Sequence, residues 1–571
     1  MRFLLILFFL FTACGKEETA SNPDVEEGLK YGGYIYLSTV SDPKSFNPIL
    51  AQETSTTAVT GLIFEGLTRV NVHTLDIEPN LAVSWDVKKG GKEWVFHLRE
   101  DVKWNDGEPF TADDVVFTFN RLIYNPDIPS SASDVLKVNG EPFKVEKIDN
   151  YTVKFSLAAS YAPFLMAMGH EILPRHKLEK IVEEGEFNTA WTLDTAPNEI
   201  VGTGPFMLRK YRPGQFIELA KNTYYWKKSK EGNSLPYLDG IRFLIVQNLD
   251  TALLKFLDGE IDYYNLRGED FAILNPEQNK GNFKIYQVGP AFGSRFLVFN
   301  QNSGLAPKTN ESYVDKKKLP WFRNKKFRQA VSYALDRKAM IEIVLNGFGH
   351  IQYSPLSPSA GYFYNPDVTK YGYNPEKAKQ MLEELGFSDR DKDGILEDLE
   401  GVKVEFNLFT NAESTDRVKI AEIIKKDLAG IGVKVHFLPL EFNNLVSKLV
   451  STYDWEAMIM GFTGGIEPHF ASNIWLSSGH LHAWYPKEKE PSTDWEKEID
   501  GIFTKAVQVL NSSQRKKLYD EWQEIASDEV PLIYTVLSEN MFAIRSRFGN
   551  LDPTPYGGAF NNIDEIYVLK K

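Results

Sequence analysis

The stretch KEWVFHLREDVKWNDGEPFTADDVVFTFNRL, residues 92–122, changes its period halfway along. Trp94, Phe96 and Leu98 alternate with their neighbours, the spacing of a half-buried strand. Thr111 then stands before Ala112-Asp113-Asp114. A hydroxyl at that place caps a helix, and acids in the first turn suit the positive end of its dipole. A strand followed closely by a capped helix predicts a chain that mixes both element types.

The mixture repeats outward in both directions. Toward the N-terminus, residues 32–50 (GGYIYLSTVSDPKSFNPIL) read as a buried strand at Tyr34–Leu37 with Asp42-Pro43 and Asn47-Pro48 turns. Residues 56–70 (TTAVTGLIFEGLTRV) have helical apolar spacing, and residues 151–158 (YTVKFSLA) alternate again. Residues 201–226 (VGTGPFMLRKYRPGQFIELAKNTYYW) read as a hairpin turning at Pro213-Gly214. Their Gly202-Thr203-Gly204 is no phosphate loop: Pro205 follows, no third glycine comes three residues on, and no helix opens after it.

Residues 250–266 predict a short helix stopped at Gly259 and then a strand. Residues 324–349 hold two helices, and a third precedes Gly386. Residues 414–440 give a long helix, a stop at Gly430 and Gly432, and a strand. Residues 514–536 give a last helix and the strand PLIYTV, which could return to the first sheet. Hairpins early and helix–strand pairs late make an α/β chain with mixed sheets.

At roughly 150 residues per domain, a chain of this length divides into about three or four units. Hydrophobic residues at 43% and aromatics at 13% are enough for large cores. Lys and Arg number 64 against 78 Asp and Glu, a net charge of −14, which argues against nucleic acid as a partner. Enzyme signatures are also missing. His170-Glu171 lacks the second histidine of a zinc-protease helix, and no Gly-x-Ser-x-Gly elbow occurs.

The chain opens MRFLLILFFLFTACGKEETASN. Its apolar run, Phe3 to Phe11, is far short of the roughly 20 residues that cross a bilayer. With Arg2 ahead of it, it fits a secretory signal. Cys14, the only cysteine, falls at the expected cut. Phe11-Thr12-Ala13-Cys14 resembles the lipobox of bacterial lipoproteins, with Phe where Leu is usual. That resemblance implies a diacylglyceryl group on the Cys14 thiol, cleavage just before it, and a lipid anchor on the periplasmic side of the envelope. The alternative is an ordinary signal with an incidental cysteine. Acylation of the one cysteine leaves no intramolecular disulfide. The polar run Gly15 to Glu27 reads as a solvated leash.

Six blocks in order resemble the extracytoplasmic solute-binding proteins of family 5, the dipeptide, oligopeptide and nickel binders of ABC importers. They are residues 32–48, then 65–122 in three pieces ending in the opening stretch, 201–226, LDGEID at 257–262, 322–349, and YDWEAMIMGF at 453–462. The resemblance implies a two-lobed periplasmic-binding-protein-like fold of the large type II class, with mixed sheets, a hinge and an inserted subdomain. The expected division is signal 1–13, leash 14–30, a discontinuous lobe I of 31–73, 199–285 and 535–571, an inserted subdomain 74–198, and lobe II 286–534. It implies a monomer that captures a small solute, first of all a peptide, presents it to a membrane permease, and needs no cofactor. An oligosaccharide or metal-chelate binder, a ligand sensor for a membrane receptor, and a secreted hydrolase are the alternatives.

An enclosed peptide buries an ammonium and a carboxylate, and each needs a partner. In peptide-binding relatives an acid beside a proline shortly after the YDW strand meets the ammonium. Glu467-Pro468 stands there, so Glu467 is the expected contact, its extra methylene notwithstanding. Arg295, ahead of an apolar strand, is the candidate for the carboxylate. Trp455, Trp475 and Trp484 crowd the same region and could offer ring faces. His469, His480 and His482 suit a transition metal, but no cysteine or close acid pair completes a shell, which favours structural histidines.

DRDKDGILEDLE, residues 389–400, fits a calcium loop. Asp389, Asp391, Asp393 and Glu400 occupy its acid positions, Gly394 the sixth, and the Ile395 carbonyl lies between. The strand-like GVKVEFNLF that follows rules out a helix–loop–helix hand. The reading is a structural Ca2+ site, or else a solvated acidic turn.

Overall fold

The computed structural model describes residues 32–51, 54–130, 132–306 and 310–569. The signal, Cys14 and the leash lie outside the described residues.

The first half is built on two sheets. In one, Tyr34–Thr39 runs parallel to Gly240–Ile245, which pairs antiparallel with Phe216–Lys221 and through it with Phe206–Arg212. The last pair is the expected hairpin, with Gly214 in the left-handed conformation at φ +65°. Gly202 and Gly204 have a packing reason. A Cβ on them would lie 2.0 Å and 2.7 Å from the carbonyl oxygens of Ile63 and Leu62, while Gly204 N–H donates to Ile63 at 2.8 Å.

The opening stretch forms the other sheet. Glu93–Leu98 sits between Ala82–Lys88 and Thr152–Ser156, and Lys144–Asp149 completes an antiparallel set of four. Helix Ala112–Phe117 begins where expected. Buried Asp114 accepts the Thr111 N–H and the Arg175 N–H, each at 2.9 Å, so one carboxylate serves the starts of two helices. One hydrophobic core unites these two sheets.

The second half is a five-stranded sheet in the order Lys434–Leu440, Glu405–Asn411, Ala457–Met460, Phe296–Phe299, Leu532–Tyr534. All but Phe296–Phe299 direct their carboxyl ends to one edge. Phe296 and Val298 enter one core and Leu297 and Phe299 the other, so both faces are covered. Burial on both faces explains uninterrupted apolar runs such as FLVF and AMIM.

Between the halves, Val536–Arg545 pairs with Tyr263–Asn265, Phe283–Pro290 and Gly349–Ile351. PLIYTV therefore does not return to the first sheet. Its Leu532–Tyr534 joins the five-stranded sheet beside Phe296–Phe299, and the chain crosses at Thr535 into the linking sheet. A second crossing runs from Pro290 to Phe296. The crossings are tied together: Thr535 donates its N–H and its hydroxyl to the Arg295 carbonyl, at 2.9 Å and 3.0 Å.

Candidate binding site

Ligand sites in open α/β sheets lie outside the carboxyl ends of the strands. At that edge of the five-stranded sheet is a cavity of about 280 Å³, lined among others by Phe292, Ser294, Phe462, Glu467, Trp475 and Tyr534. Facing it in the first half is a larger one of about 700 Å³ that includes Glu65, Asn80, His170 and Glu171. Phe470 lines both, so the two cavities adjoin at that ring. The halves meet across it: Tyr161 lies edge-on to His469 and Phe292 to Tyr556, each at 5.7 Å between ring centres.

Glu467 lies in the cleft wall but carries a partner. Arg515, from helix Ser512–Glu529, reaches Oε2 with Nη1 at 2.8 Å and Oε1 with Nη2, and the His469 N–H donates to Oε1 at 2.9 Å. Burial alone would lower the Arg515 pKa, but the Glu467 carboxylate more than offsets it and the value is raised. Burial holds the adjacent His469 at about 4, so its ring is neutral near pH 7.

An acid of the larger chamber with no Lys or Arg on it is Glu65, which sequence reasoning did not single out. It keeps part of its surface open to the chamber while lying deep in the molecule, and burial pushes its carboxyl up to about 7. The Trp226 indole N–H donates to it at 3.0 Å. An acid inside the apolar run LIFEGL was the available signal.

Arg295 stands beside the cavity and does not line it. Its nearest carboxylate, on Asp416, is 3.6 Å away, and its buried Nη1 has no hydrogen-bond partner. Burial lowers its pKa, and it lowers that of Arg417 in turn, after burial, by repulsion. Two guanidinium groups thus lie close to each other, neither among the residues that line the cavity.

Of the three tryptophans, Trp475 lines the cavity. All three belong to one core, Trp475, Trp455 and Trp484 being 3%, 2% and 0% exposed, with Trp484 hydrogen-bonded to Glu496.

The acidic loop brings together Asp389, Asp391, Asp393 and Glu397, not Glu400. Glu400 is exposed and its N–H donates to Asp398. The chain folds back at the Ser388–Glu397 bridge, which turns Glu397 inward. The Lys403 ammonium already contacts Asp391 at 2.9 Å and also Asp393.

Residues 76–482 match the family described as bacterial extracellular solute-binding proteins, family 5 Middle. The chain is 30% identical over 545 residues to a probable ABC transporter-binding protein of Deinococcus radiodurans, covering 91% of this chain and 89% of that one. It is 28% identical to the oligopeptide-binding protein AppA of Bacillus subtilis, over 99% and 98% of the two chains. The structure of that AppA in complex with a nonapeptide superposes with a TM-score of 0.74 at 27% identity, covering 95% of this chain and 100% of the other. A two-lobed fold with its cleft at the strand ends, and a match running through most of the chain, make this protein a member of the bacterial extracellular solute-binding proteins, family 5.

Proposed function

We propose that this protein is the lipid-anchored substrate-binding component of an ABC importer, and that it encloses a peptide without altering it. The observation that carries the reading is the pair of cavities adjoining at Phe470 between the halves, with the Glu65 carboxyl lining one and the Arg295 guanidinium standing beside the other. Glu65 suits a ligand ammonium, and Arg295 with Arg417 suits its carboxylate. Glu467 accepts one further donor at most, because Arg515 has already neutralised it. Cys14 supplies the anchor, and the −14 net charge keeps the tethered body soluble.

The aromatic lining by Phe292, Phe462 and Trp475 supports a second reading, a sugar or an organic chelate stacked on ring faces. Native mass spectrometry of the purified protein identifies retained cargo. A peptide, bound more weakly after Glu65→Gln in calorimetry, supports the first reading. A saccharide or chelate, or peptide binding indifferent to Glu65, overturns it. Mass analysis of detergent-extracted protein tests the anchor: an unmodified Cys14 removes it.

A further inference from the structure

His482, Glu488 and Glu496 converge behind the aromatic wall of the cleft. Their side chains are 0%, 4% and 3% exposed. The Ile474 carbonyl lies 3.1 Å from His482 Nδ1. A carbonyl only accepts, so Nδ1 carries a proton and Nε2 is the nitrogen whose lone pair an ion could take. Nε2 lies 3.2 Å from Glu488 Oε2 and 3.7 Å from Glu496 Oε1. Yet Nε2 and Glu488 Oε2, though this close, are both buried without a well-aligned hydrogen bond.

These are the marks of a ligand set. Donors about 2.1 Å from a tetrahedral ion stand about 3.4 Å from one another. A ligating histidine characteristically gives its other ring N–H to a carbonyl or carboxylate. The carboxylates are held in the same way. Glu488 Oε1 accepts the Ser492 N–H at 3.0 Å. Glu496 Oε2 accepts the Ser492 and Thr493 hydroxyls, and its Oε1 the Trp484 indole N–H at 2.9 Å.

Charge points the same way. Two buried carboxylates need compensation. The nearby Arg328 spends its donors on Gln301 and on the Phe322 and Glu529 carbonyls. The Arg328 charge is felt by Glu496 but is shared with the Glu529 carboxylate 3.8 Å away; among His482, Glu488 and Glu496 themselves, a proton on the ring offsets one carboxylate and a divalent ion offsets both.

We propose that His482 Nε2, Glu488 Oε2 and Glu496 Oε1 bind a divalent first-row transition ion, Zn2+ by the chemistry of the donors. It is a structural centre tying the loop of residues 476–493 to helix Asp494–Ala506. Its second effect falls on the cleft. His482 packs on Trp484 at 4.0 Å, Trp484 on Trp475 at 5.2 Å, and Trp475 lines the cavity. The ion stiffens that wall.

The test is Zn2+ titration of the full chain, stripped with chelator, against a chromophoric competitor. The expected result is one Zn2+ per chain and a higher melting temperature. Glu488→Gln is expected to weaken binding about tenfold or more, while His480→Gln and Asp391→Asn do not. Co2+ on the wild-type protein is expected to give the visible absorption of a tetrahedral site, which needs no variant to fold. No stoichiometric Zn2+, or a full equivalent retained by a folded Glu488→Gln protein, overturns the proposal.

Discussion

Arg515 closes on Glu467 with both terminal nitrogens, joining a helix of the second half to the wall of the cleft. Each side chain is only 6% exposed. A pair this deep resists loss of one member more than loss of both, because a lone buried charge has nothing to offset its desolvation.

Arg515→Met is therefore expected to lower stability by about 3–5 kcal/mol. Adding Glu467→Gln should restore part of it. Urea denaturation of the three proteins reads the difference; a double variant no better than the single one would refute the argument.

Glu65 gives a pH dependence of opposite sign to that of a salt-bridged acid. Its carboxyl is raised from 4.5 to about 7 in the folded protein. Between those values the unfolded chain releases this proton while the folded chain keeps it. Stability from this group is whole below 4.5 and falls as pH rises toward 7, by at most about 1.4 kcal/mol per pH unit. Glu65→Gln should be more stable than wild type at about pH 8, with the advantage gone at about pH 4. Thermal melts across that range check it, and equal slopes for the two proteins would count against it.

Lys403 stands where an ion would sit in the acidic loop. Calcium must displace its ammonium, so wild-type melting should respond weakly to Ca2+. Lys403→Gln should lower the melting temperature in chelator and make it strongly dependent on Ca2+. A strong response already present in wild type would show that the lysine is no competitor.

Gly202→Ala places a methyl 2.0 Å from the Ile63 carbonyl oxygen, a backbone atom that cannot step aside. Overpacking of this kind costs about 1–3 kcal/mol or more. Gly214→Ala meets nothing within 4 Å and bears only the strain of its positive φ. Chemical denaturation should therefore rank Gly202→Ala as the more damaging of the two.

What the sequence made legible was local. The Thr111 cap, the Pro213-Gly214 turn and the Gly259 stop are set by neighbours in the chain, and each is found in place. Residues 56–70 misled because apolar spacing continues past the true end of the helix at Thr60. Beyond it Gly66 must pass within contact of the Gly169 carbonyl, a constraint set 103 residues away. The PLIYTV run was recognisable as a strand, but nothing in a doubly buried run says which sheet receives it. Glu467 was legible as a cleft residue and its partner was not, since Arg515 lies 48 positions on. Likewise the acids around His482 come from a loop and a helix start, so no compact motif announces them.

The clasp between Thr535 and Arg295 has a mechanical outcome. Two strands leaving one lobe side by side, stapled at the point of departure, permit swinging and resist sliding or twisting apart. Relative motion of lobes joined in that way would be chiefly a change of one angle, ajar or shut. A membrane partner reading such an angle would receive a yes-or-no message about occupancy, whatever the cargo's details. Arg295 thus contributes its carbonyl to the staple while its buried guanidinium stands beside the cavity, so the axle of the door and the surroundings of the cavity share one residue.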